Sequence, residues 1–196
     1  MNMKDMLAEQ REEMLRDKYI ESEKAGFDVG EPRMVKWTKD YGAAWRVGYN
    51  MRHMMDLGDG RKPVYFGIFL DTDSSNKLKD TVAGILPPDW TVYCHHCTLS
   101  FGDPSPDPEV FNYIAQTLGT MVTLDAVTLG ISEEAIAVGV TGNIKSRNET
   151  PHITVATAPG VRPVRANAIA EWNPLPEGLR LTGVVDAFPS HFGWKH

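Results

Sequence analysis

Val92-Tyr93-Cys94-His95-His96-Cys97-Thr98-Leu99-Ser100-Phe101 and Pro151-His152-Ile153-Thr154-Val155-Ala156 decide how this chain is read. Each stretch holds a histidine, one variable residue, a threonine and an aliphatic residue, and the copies lie 152 − 96 = 56 positions apart. In an extended strand alternate side chains share a face, so each imidazole stands beside a hydroxyl while Cys97 or Ile153 points into the opposite layer. One His-x-Thr in a strand is common and means little. Two copies, each in a β-rich run, predict two neighbouring strands that turn His96, Thr98, His152 and Thr154 into one cleft suited to a phosphate.

Cleaving a phosphodiester without a metal takes a base for the attacking oxygen, an acid for the leaving oxygen and donors for the non-bridging oxygens. Histidine suits both proton roles because its ordinary pKa, about 6.5, lets one copy be neutral while its twin is protonated. Thr98 and Thr154 supply hydroxyl donors. Which histidine is the base stays open at this stage.

The repeated motif resembles the signature of the 2H phosphoesterase superfamily. "YFGIFLD" before a helix, "VYCHHCTLSFG" at the first motif and "TPHITVATAPGVRPVRAN" at the second are similar to the branch holding RNA-repair 2′,3′-cyclic phosphodiesterases and phage anti-CBASS cyclic-nucleotide phosphodiesterases. The likeness covers about residues 63 to 186 and leaves the amino-terminal third untouched. It implies an α+β, bilobal fold in which two pseudo-symmetric antiparallel-sheet lobes flank a central cleft. It also implies hydrolysis of RNA-type cyclic phosphodiesters, foremost 2′,3′-cyclic ends. Two alternatives stand beside it: a phage-type nuclease that linearises cyclic di- or oligonucleotide messengers, and a nucleotide-binding module without turnover. No cofactor and no metal are called for.

A chain of 196 residues fits one domain of ordinary size or one domain with an extension. No apolar run approaches the roughly 18 residues of a membrane span, and the charged start is unlike a signal peptide, so a cytoplasmic protein is expected, in the host cytoplasm if phage-encoded. Net charge of −6 argues against broad binding to a nucleic-acid backbone, not against a small anion. Cys94 and Cys97 form a Cys-x-x-Cys string, but odd spacing in a strand parts the side chains and no second pair completes a four-thiolate site, which favours a structural role.

Local positive charge flanks the second motif at Lys145, Arg147, Arg162 and Arg165, weak substrate-binding candidates beside Asn148 and Asn167. Tyr65, Trp90, Tyr93 and Phe101 are the aromatic candidates for base stacking. Strand parity counts against Tyr93 and Phe101, and it turns His95 away from the site. His53, His191 and His196 match no partner pattern and are not assigned.

Residues 1–60 read as a helical and irregular extension and 61–196 as the catalytic domain. A helix is predicted from 4 to about 24, ended by Gly26; docking on the core is preferred over self-association or pairing with another partner. Irregular structure with a short strand at Met34 to Trp37 follows. Val64 to Leu70 reads as a buried strand, then a helix capped at Asp73, Ser74 or Ser75 with Leu78, Val82 and Ile85 inward. Further strands are predicted at 91–101, 121–129, 135–140, 151–157 and 179–185, with helices at 109–118 and 166–172.

Overall fold

A computed structural model describes residues 3–57 and 60–191, the side chains of 176–177 excepted. His196 and its unassigned imidazole lie outside the described residues. The chain divides into two compact units, an amino-terminal one ending at Lys62 and a second running from Pro63 to Ser190.

In the amino-terminal unit, α1 (Met3–Ala25) packs against α2 (Gly30–His53). Gly26, at φ +75°, ends α1 in the left-handed conformation that glycine adopts without strain. Arg33 on α2 forks onto Asp17 on α1, with Nε and Nη2 donating to the two carboxylate oxygens at 2.5 and 2.7 Å. The expected irregular stretch and strand at Met34 to Trp37 are corrected: this region is helix. The overlooked signal is Trp37, Tyr41, Trp45 and Tyr49, an aromatic every fourth residue, which lines one helical face. Trp45 stacks on Tyr49 at 5.3 Å between centroids, and Tyr49 meets His53 at 4.4 Å. Gly42 and Gly48 lower helix propensity by about 1 kcal/mol each without breaking the element.

The second unit contains β1 (Tyr65–Leu70), α3 (Thr72–Val82), β2 (Thr91–Val92), β3 (His96–Phe101), α4 (Pro108–Thr117), β4 (Met121–Ile131), β5 (Ala135–Thr141), β6 (His152–Thr157) and β7 (Trp172–Phe188). Short 3-10 turns occupy Ala83–Ile85 and Pro163–Ala168. Every strand pairing is antiparallel, in the order β6-β3-β1-β7-β4-β5, and β5 pairs back onto β6. The sheet therefore closes into a barrel, which removes the exposed edges of an open sheet. The expected mixture of helices and antiparallel strands is present. The two-lobed description fits only loosely, because both motif strands belong to one continuous ring.

Three local expectations change. Asp71, not a residue at 73–75, caps α3 by accepting the Ser74 N–H at 2.7 Å; its other carboxylate oxygen takes the Thr182 hydroxyl of β7. Leu78 and Val82 are buried as expected, whereas Ile85 is exposed beyond the end of the helix. The last strand starts at Trp172 and not at 179, since β4 is long enough to pair with it from Met121 to Gly130, and the helical piece expected at 166–172 is a 3-10 turn lying slightly earlier, at Pro163–Ala168. Among the described residues no helix is long and apolar enough to cross a membrane.

Candidate active site

Strands β3 and β6 lie side by side with Cys97 paired to Ile153. Antiparallel register then sets His96 opposite Thr154 and Thr98 opposite His152. Each imidazole thus faces the other motif's hydroxyl across the strand pair, about a local twofold through Cys97 and Ile153. Both of those central side chains are fully buried on the opposite face. His96, Thr98, His152 and Thr154 all line one cavity of about 350 Å³, within the range of small-ligand sites.

Two irregularities in the first motif strand revise the parity argument. Pairing with β6 follows one register at Thr91 and Val92 and another at Cys97, and between them Cys94 sits at φ +56°. The interruption at 93–95 turns His95 toward the same cavity as His96, against the expectation of opposite faces. Further along, the register of β3 against β1 shifts between Phe66 and Gly67. The extra residue is Leu99, and such a bulge exchanges the faces beyond it. Phe101, exposed and discounted on parity, consequently lines the cavity opposite Tyr65.

His96 packs against two aromatic rings that are themselves 6.0 Å apart between centroids. Tyr65 and Phe69 stand 5.0 and 5.5 Å from it between centroids, tilted by 23° and 29°. The Nδ1 atoms of His95 and His96 are 2.5 Å apart. Gly67 lets this arrangement exist: a Cβ there would come within 2.9 Å of the Cys97 carbonyl and 3.6 Å of the His96 ring. Burial pushes the Tyr65 phenol up to about 12, so it stays a neutral donor in the cavity wall.

His152 has a different setting. It is only 6% exposed, and its Nδ1 donates to the Thr150 carbonyl at 2.8 Å. A carbonyl cannot donate, so Nδ1 carries the proton and the neutral ring has its lone pair on Nε2. Burial lowers its pKa below 6.5, with the Thr150 hydrogen bond opposing the shift. Trp172 packs beside it at 5.7 Å, in space that Gly139 and Gly130 leave open.

The loop before the second motif is stitched to the first. Ser146 Oγ donates to the Thr98 carbonyl at 2.9 Å and the Arg147 N–H to the Leu99 carbonyl at 2.8 Å. Asn148 is thereby held at the cavity wall, facing Asn167, Pro163 and Val164. A second recess of about 220 Å³ adjoins the first at Asn148, His152 and Asn167, and includes Arg147 and Trp172.

Of the weak binding candidates, Tyr65, Asn148 and Asn167 line the main cavity and Arg147 the adjoining recess, its guanidinium also donating to the Asp103 carbonyl. The others are not brought to the site. Lys145 pairs with Glu109 at 2.8 Å, Arg165 with Glu134 at 2.5 Å, and exposed Arg162 lines neither recess. Trp90 and Tyr93 also lie off the cavity wall; Tyr93 instead reaches Thr157 with its hydroxyl. Sequence reasoning missed the contributions of His95, Pro163, Val164 and Trp172; only the doubled histidine at 95–96 offered a visible signal.

Cys94 and Cys97 are buried free thiols whose pKa values burial raises to about 11 and about 12, inert core groups rather than a redox pair. Among the described residues no group of three His, Cys, Asp or Glu side chains is placed to hold a metal ion.

Comparison with known proteins gives no match among family models and none among curated proteins. Among solved structures, the chain is similar to the crystal structure of a fungal RNA kinase at a TM-score of 0.41 and 14% identity. The alignment covers 64% of this chain and 42% of that one. A likeness at this level carries no functional weight.

Proposed function

We propose that this chain is a metal-independent phosphodiesterase of the 2H type that opens RNA-type cyclic phosphates, foremost 2′,3′-cyclic ends. The observation that carries the reading is the crossed quartet: two imidazoles and two hydroxyls set diagonally about Cys97 and Ile153 on the wall of one cavity. An in-line displacement needs an acid and a base on opposite sides of phosphorus, and a local twofold supplies that placement.

His152 is the base. Its Nε2 lone pair is fixed by the Thr150 carbonyl on Nδ1, and burial keeps the ring neutral. It takes a proton from water as the water oxygen bonds to phosphorus. His96 is the acid: the rings of Tyr65 and Phe69 favour a cation beside them, and its proton passes to the ribose oxygen as the P–O bond breaks. Thr98 and Thr154 donate to the non-bridging oxygens, and proton exchange with solvent resets the pair. In this reading residues 61–196 are the catalytic domain, 1–60 an accessory segment, and RNA ends in the cytoplasm the substrate.

The test offers purified protein an RNA oligonucleotide ending in a 2′,3′-cyclic phosphate and, separately, a cyclic dinucleotide, both with EDTA. The expected result is conversion of the cyclic end to a phosphomonoester, lost in His96→Ala and in His152→Ala. Consumption of the cyclic dinucleotide alone would replace end processing with messenger degradation. Tight binding without turnover of either would make the protein a sequestering module.

A further inference from the structure

His95 lies outside the His-x-Thr motif yet enters the same cavity. The backbone break at Cys94 puts it there, and the His95 carbonyl fixes the break by accepting the Leu70 N–H at 2.9 Å. Its ring is tilted only 22° from that of His96, with centroids 4.6 Å apart but Nδ1 atoms at 2.5 Å. Nitrogens so much closer than the ring centres mean the two imidazoles meet edge to edge, not face to face. At that distance one Nδ1 must carry a hydrogen and the other a lone pair.

We propose that His95 is a positioning residue that accepts a hydrogen bond from His96 Nδ1–H and so fixes His96 in the tautomer whose reacting nitrogen is Nε2. The assignment gives both motif histidines the same arrangement. His152 has a backbone carbonyl on Nδ1; His96 has the lone pair of a neighbouring imidazole in that place. His95 is suited to accept because desolvation of its ring, exposed though the residue is at its outer edge, and then the charge of Lys79 lower its pKa and favour the neutral form. Without an acceptor at Nδ1, His96 loses its tautomer preference and the aim of Nε2 toward the phosphate.

The kinetic consequence rests on the phosphodiesterase reading; the tautomer does not. Histidine-labelled full-length protein is examined by nitrogen-15 NMR near pH 8, alongside His95→Leu and His95→Asn, the latter keeping an acceptor oxygen close to the lost Nδ1. The expected spectrum has His96 protonated at Nδ1 in the parent chain and in His95→Asn, and a tautomer mixture in His95→Leu. With a cyclic-phosphate substrate, kcat of His95→Leu falls by roughly 10- to 100-fold with KM within about twofold, a smaller loss than removing a charged triad partner. His95→Asn recovers most of it. A parent His96 protonated at Nε2, or a His95→Leu variant with unchanged tautomer, overturns the proposal. Absence of turnover on any substrate with the expected tautomers would instead overturn the phosphodiesterase reading and leave His95 in its role.

Discussion

The two motif copies carry the same four-letter pattern in unlike surroundings. His96 is half-buried, set against the rings of Tyr65 and Phe69, and its Nδ1 meets another side chain. His152 is almost wholly buried, packed beside Trp172, and its Nδ1 meets the backbone of its own approach loop. In the proposed mechanism the same residue type serves opposite proton duties, since aromatic faces open to solvent tolerate a cation and a buried pocket does not. A duplicated motif need not mean duplicated roles.

The strongest way to break this contrast is to delete each imidazole. Either His96→Ala or His152→Ala should lower kcat by about 10²–10⁴-fold, and the double variant little further, because the two act on one event; additive losses measured by steady-state kinetics would mean independent roles. Next come the hydroxyls: Thr98→Val and Thr154→Val each keep shape and remove a donor, with an expected loss of about 10²-fold in kcat. A loss at only one of them would show that the phosphate sits off the local twofold.

The pH profile sharpens the assignment of roles. A base works deprotonated, and burial lowers the His152 pKa below 6.5, so it stays active into more acidic solution than an exposed histidine would. The acid limb of kcat/KM should have its midpoint below 6.5, and a midpoint above it would overturn His152 as the base. Gly67→Ala tests the floor under His96. Its Cβ would meet the Cys97 carbonyl at 2.9 Å, backbone that cannot swing aside, for an expected loss of about 1–3 kcal/mol in denaturant unfolding. The smallest effect belongs to Lys145→Ala and Arg165→Ala. Both cations are exposed and paired with Glu109 and Glu134, so kcat/KM should stay within about twofold and the denaturant midpoint should not move measurably.

How much of this was legible beforehand varies with the kind of signal. The quartet could be read because strand periodicity turns spacing into facing, and the helices at α1 and α4 because composition and breakers mark their ends. The α2 helix is hidden by Gly42 and Gly48, which read as breakers, while its signal is the fourfold spacing of Trp37, Tyr41, Trp45 and Tyr49. His95 and Phe101 were misplaced for a different reason: parity holds only within an unbroken strand, and a left-handed Cys94 and a bulge at Leu99 interrupt it. Neither residue is a glycine or proline that would have announced the irregularity.

Alone, the sequence determined which four side chains share one face and suit the proposed acid, base and donor roles, since residue type and alternation are local properties of the chain. Tertiary structure decided that β3 and β6 become neighbours with Cys97 opposite Ile153, and that His152 is almost wholly buried while His96 lies beside aromatic rings. Those facts depend on barrel closure, which brings together residues dozens of positions apart, and on how much water each ring then retains.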